Sequence, residues 1–187
     1  MKSVEISVEF DENPVSQGMI TGRIQVVADE QILTRRIDEQ GEPVTDSTVP
    51  DGYVGTRVLF DLLNLTKVVS SLKHGNVGLY EQCRSEFTGE RFDLVFERLS
   101  DHAVRVCYQD RTTKSKSVEY PAPPAEVALG ASVELDKLCD QVITCDEQLL
   151  KFAREANLNV EDPPLAAISD IVSELQKLQE DYDGFPQ

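Results

Sequence analysis

Tryptophan is absent from this chain, aromatic residues make up only 6% of it, and histidine occurs twice among 187 residues. A carbohydrate platform of stacked rings has little to be built from. The two histidines, His74 and His102, leave few bases to activate a nucleophile, and the sequence places them in separate turns. Positive charge is scarce as well: 34 Asp and Glu face 18 Lys and Arg, for a net charge of −16. Phosphate binding needs a cationic surface that releases counterions, so nucleic acid is not expected as a direct partner, whereas a basic protein is permitted.

Other absences narrow the chemistry. The four cysteines, Cys83, Cys107, Cys139 and Cys145, contain no C-x-x-C pair, so neither a dense disulfide framework nor a zinc knuckle is expected, and they read as reduced core thiols. Neither GxGxxG nor GxxxxGK[ST] occurs, and no cofactor is expected. No apolar run approaches the ~20 residues of a membrane span, and Met1 is followed by an alternating segment instead of an apolar signal-peptide core. The expectation is a cytoplasmic protein with no membrane partner.

What is present fits a folded protein, with a hydrophobic fraction of 40% and a charged fraction of 28%. Val4, Ile6, Val8 and Phe10 alternate with Ser3, Glu5, Ser7 and Glu9, the period of a half-buried strand, and a second β-prone stretch follows over 19–28. Residues 38–52 are rich in turn formers and acids and predict an exposed, flexible loop. Leu62, Leu65, Val69 and Leu72 then recur at helical spacing, with Asp61 placed to cap the start and Gly75 to end it. Three strands over 77–87, 91–99 and 102–108 form a meander, and alternation resumes at Val127, Leu129, Ala131 and Val133.

The last third is helical. Leu135, Leu138, Val142, Ile143, Leu149, Leu150 and Ala153 form one apolar stripe, and after Pro163-Pro164 a second stripe runs through Ile168, Ile171, Val172, Leu175 and Leu178. The pattern as a whole predicts a single α+β domain over 1–187, with an antiparallel sheet of about six strands packed on one face against three helices. Val4, Ile6, Phe92, Leu94, Phe96, Val104 and Val106 should meet Leu138, Val142 and Leu149.

Paired carboxylates could do hydrolytic acid and base chemistry, and Glu81, Glu86, Asp93 and Glu97 are numerous enough to raise a hydrolase as the minority alternative. Nothing selects one pair, and Asp93, Val95 and Glu97 alternate with Phe92, Leu94 and Phe96 as the solvated side of a sheet would. No catalytic residue is assigned. Acidity concentrates in the helical third, where 13 Asp or Glu face 4 Lys or Arg over residues 134–187. A surface including Asp140, Asp146, Glu147, Asp170 and Glu174 is therefore the candidate for steering a basic partner, against the alternative that the acids only solvate the outer face of two helices.

The helix LFDLLNLTKVVSSLKHG, the meander ending in HAVRVCY, and ASVELDKLCDQVITC opening a long helix occupy residues 59–153. In the order of its elements this stretch resembles small bacterial immunity proteins of polymorphic-toxin systems. The resemblance implies a protein that binds and neutralises a toxin, with no reaction of its own, and it carries over no residue assignment. The expected function is thus a non-catalytic protein-binding domain, with an acidic structural or accessory role as the alternative.

Overall fold

The computed structural model describes residues 2–11, 20–34, 57–88, 90, 92–110 and 130–183. The expected loop at 38–52 and the strand start at Val127 and Leu129 lie outside them. The fold is α+β: seven strands in two antiparallel sheets and three helices, two of them at the C-terminal end.

The first sheet holds β1 (Val4–Phe10), β2 (Gly22–Ala28) and the short β3 (Gln31–Ile32) in that order. β1 alternates as its sequence demands, with Val4 and Ile6 buried while Glu5, Ser7 and Glu9 are exposed. Asp29 and Glu30 both have positive φ, 52° and 65°, and close a two-residue hairpin onto β3. The second sheet is the meander β4 (Gln82–Glu86), β5 (Phe92–Arg98), β6 (Ala103–Asp110) and β7 (Gly130–Glu134).

The single six-stranded sheet expected from the sequence is thus divided in two. The join is one parallel bridge between Lys2 and Val133, where the Lys2 amide donates to Ser132 O at 3.2 Å. Beyond it the free edge of β1 is taken up by a helix: the Ile6 amide donates to Gln141 Oε1 at 3.1 Å, and the Cys145 thiol donates to Ile6 O at 3.5 Å. Side chains thus satisfy the Ile6 backbone groups that a neighbouring strand in one continuous sheet would have used.

The helices are α1 (Val58–Lys73), α2 (Leu135–Glu155) and α3 (Leu165–Asp183). α2 packs on β1, α1 packs on β4, and the three helices pack on one another. All ten residues expected to meet across this interface belong to one buried cluster, with Leu94 and Phe96 fully buried. α1 ends as the sequence predicts: Gly75 has φ of 71°, its amide donates to Leu72 O, and the Asn76 amide donates to Ser71 O.

Two expectations are corrected. α1 starts at Val58, with Arg57 at its cap, so Asp61 lies inside the first turn and is buried. Asp93 and Glu97 are not on a solvated face: β5 is buried on both sides, and Asp93 pairs with Arg84 at 3.3 Å across the sheet. β5 lies between β4 and β6, where an acid that finds a guanidinium can be covered.

Candidate functional site

Four of the five acids proposed as a surface are on it. Asp140 and Glu147 on α2 and Asp170 and Glu174 on α3 are all exposed. Two of them also join the helices, since Gln179 Nε2 donates to Asp140 Oδ1 and Gln176 Nε2 donates to Glu147 Oε1 at 2.8 Å. Asp170 and Glu174 stand one helical turn apart, a like-charged spacing that costs a helix a few tenths of a kcal/mol. Among the described residues none of the four is in an ion pair; the lysines of α2 pair instead with Glu134 and Glu155.

Asp146 is the correction. It is fully buried, and its Oδ2 lies 2.7 Å from Thr66 Oγ1 on α1. Desolvation pushes its carboxyl from the usual 3.8 up to about 8, against which the Thr66 hydrogen bond works only in part. A group so placed contributes no surface charge to a partner. The sequence held the signal: Asp146 follows Leu135 by eleven residues, which at 100° per residue puts it about 20° round the helix, inside the apolar stripe.

Asp61 is a second buried carboxyl. Its Oδ1 accepts the Thr88 backbone amide at 2.7 Å, tying α1 to the turn after β4. Burial raises its pKa to about 6, opposed by the hydrogen bonds from the Thr88 backbone and side chain. Both acids tie elements together, Asp61 joining α1 to the turn after β4 and Asp146 joining α2 to α1, and the charge of Glu90 adds to the rise at Asp61.

The two histidines, separate in the sequence reading, line one cleft of about 280 Å³ together with Lys73, Gly75, Arg98, Asp101 and Asp136. Its charges are engaged within the fold. Lys73, from the last turn of α1, meets Asp136 in the first turn of α2 at 2.6 Å, so each charge also complements its own helix end. Arg98 donates to Asp101 at 2.7 Å and to Val77 O at 2.7 Å. His74 Nδ1 sits 2.8 Å from Ser70 O and 3.3 Å from Ser70 Oγ; a proton on that nitrogen satisfies the carbonyl and leaves no lone pair there to activate the serine.

The four cysteines are free thiols. Burial raises Cys83 to about 11 and Cys139 and Cys145 to about 12, and it raises Cys107 too, which keeps all four as unreactive thiols at neutral pH. Among the described residues, no group of three or more His, Cys, Asp or Glu could hold a metal ion, and no helix is long and apolar enough to cross a membrane.

One feature escaped the sequence reading. Leu79 and Tyr80, adjacent in the connection from α1 to β4, are 58% and 71% exposed, the large apolar side chains left most open among the described residues. The local sequence NVGLYEQ reads as the start of a strand, whereas β4 begins only at Gln82.

No protein-family model, curated protein or solved structure matches this chain.

Proposed function

We propose that the chain is a non-catalytic domain that binds a basic protein. The observation that supports this most is the set of exposed acids Asp140, Glu147, Asp170 and Glu174 on the two C-terminal helices, none of them neutralised by an ion pair among the described residues. Unneutralised charge of one sign, in a chain carrying −16, stabilises no fold and repels a second copy. It accelerates the approach of an oppositely charged surface. An inhibitor of a basic toxin is the narrower form of this reading, supported by the order of elements alone.

The test is a pull-down from native lysate with the full chain and with Asp170→Lys/Glu174→Lys. One stoichiometric partner of basic pI, retained by the wild type and depleted from the variant, is the expected result. Repeated recovery of no partner, or of one held equally by both, contradicts the reading and leaves an accessory role.

A further inference from the structure

The connection between α1 and β4 is built as a rigid turn around a residue poorly suited to it. The Glu81 amide donates to Gly78 O at 3.0 Å, closing a β-turn over 78–81, and the Glu81 side chain returns to accept the Gly78 amide at 2.8 Å. Tyr80 occupies the third position with φ of 63°, in the left-handed region where a turn of this kind ordinarily carries glycine. The ladder to β5 is bulged there. The Tyr80 amide donates to Arg98 O at 2.7 Å, while the Arg98 amide donates to Glu81 O at 3.1 Å, so two residues oppose one, with Tyr80 at the position that glycine usually fills. The Arg98 guanidinium then holds Val77 O from below, braced by Asp101.

A bulky residue in a left-handed conformation is strained, and such strain persists only where the surroundings impose it. Burial of the ring would offset it, but Tyr80 is 71% exposed, and Leu79 beside it is 58% exposed. Within the folded chain the tyrosine therefore costs stability and gains little contact. The turn presents a large aromatic ring and a leucine in a fixed geometry, which is the form of a preorganised contact centre.

We infer that the Leu79–Tyr80 turn is the contact centre for a basic segment of a partner protein, with an arginine or lysine over the Tyr80 ring and an apolar side chain against Leu79. The inference deepens the basic-partner reading above and rests on it. Charge complementarity selects this occupant. Glu81, within the turn, is exposed and in no ion pair among the described residues, while Arg98 behind it is only 14% exposed and committed to Asp101 and Val77 O. A cation over an exposed tyrosine face gains from the ring quadrupole as well as from the Glu81 carboxylate. A second copy of this chain would bring −16 against −16 and is disfavoured on the same ground.

The test follows backbone amide shifts of the full chain during titration with a short peptide of alternating arginine and leucine, with its glutamate–leucine counterpart as control. Saturable shifts centred on Gly78, Leu79, Tyr80 and Glu81 are expected. Affinity should fall about tenfold or more in Tyr80→Gly and in Leu79→Ser, and stay near wild type in Tyr80→Phe. Tyr80→Gly should at the same time raise Tm by about 2–4 °C, because it relieves the strained backbone; a merely structural tyrosine would lower it. Binding within about twofold of wild type in Tyr80→Gly, or a fall in its Tm, overturns the assignment of the turn while leaving the basic-partner reading intact. Equal binding of the glutamate–leucine peptide overturns the basic-partner reading itself.

Discussion

Thr66 of α1 and Asp146 of α2 share a hydrogen bond of 2.7 Å in the buried seam between the two helices, and Thr66 Oγ1 lies equally 2.7 Å from Leu62 O in its own helix. A hydroxyl has one proton. With Asp146 ionised, only one of the two contacts can be a hydrogen bond. With Asp146 neutral, its O–H donates to Thr66 Oγ1 and Thr66 donates to Leu62 O, so both are made. Among the described residues Asp146 Oδ1 is buried without a partner, a far lighter cost for a neutral acid than for a carboxylate. The network and the raised pKa agree on a neutral carboxyl joining α1 to α2.

That protonation state gives stability a pH dependence of definite sign. Asp146 has a folded pKa of about 8 against 3.8 for the free side chain, so between those values the folded chain binds the extra proton. Its destabilisation is absent below pH ~4 and grows until the pH passes about 8. Asp146→Asn retains a donor for Thr66 and cannot ionise. In denaturant titrations the variant should match the wild type within about 1 kcal/mol near pH 4 and exceed it by at least that much at pH 8.5. A variant less stable at every pH would show that the carboxylate, not the acid, is the form required.

Asp61 behaves differently because it accepts a backbone amide. Asp61→Asn keeps an acceptor for Thr88 and should cost little, while Asp61→Ala leaves the amide without its partner and should cost about 1–3 kcal/mol. Urea midpoints at neutral pH measure both. Equal losses in the two variants would mean that charge matters more than the hydrogen bond.

Gly75 does two jobs at the end of α1. Its φ of 71° disfavours any other residue, and a Cβ there would stand 3.4 Å from Arg98 Nη1. Gly75→Ala should cost about 1–2 kcal/mol and increase amide exchange at Asn76, whose amide closes the helix end. An unchanged Tm would contradict this role.

The legible parts of the fold were those where one period governs a whole element. Alternation located β1, the strands of the meander and the buried face of β5 that carries Phe92, Leu94 and Phe96, and the stripe from Leu135 to Ala153 located α2. The hairpin at Asp29-Glu30 was missed because its sequence lacks the Asn-Gly or Asp-Gly pair that such a turn favours. The break between sheets was illegible because Gln141 and Cys145, far along the chain, supply the edge partners of Ile6. For the candidate site, composition identified the acidic helices, but reading acids as solvated misplaced Asp146, Asp93 and Glu97, and a helix start set too late put Asp61 at the cap. The Leu79–Tyr80 turn was hidden for a further reason: left-handed backbone at a tyrosine comes from the bulge opposite Arg98, which no local pattern encodes.

Association kinetics test the central claim most directly. With the partner recovered from lysate immobilised, the association rate of the full chain should fall by about an order of magnitude as salt rises through the physiological range into the high-salt regime, with dissociation changing less. Asp170→Lys/Glu174→Lys should lower the low-salt rate towards the high-salt value. An association rate independent of salt, and within about twofold of wild type in the charge-reversed chain, would contradict electrostatic capture of a basic protein.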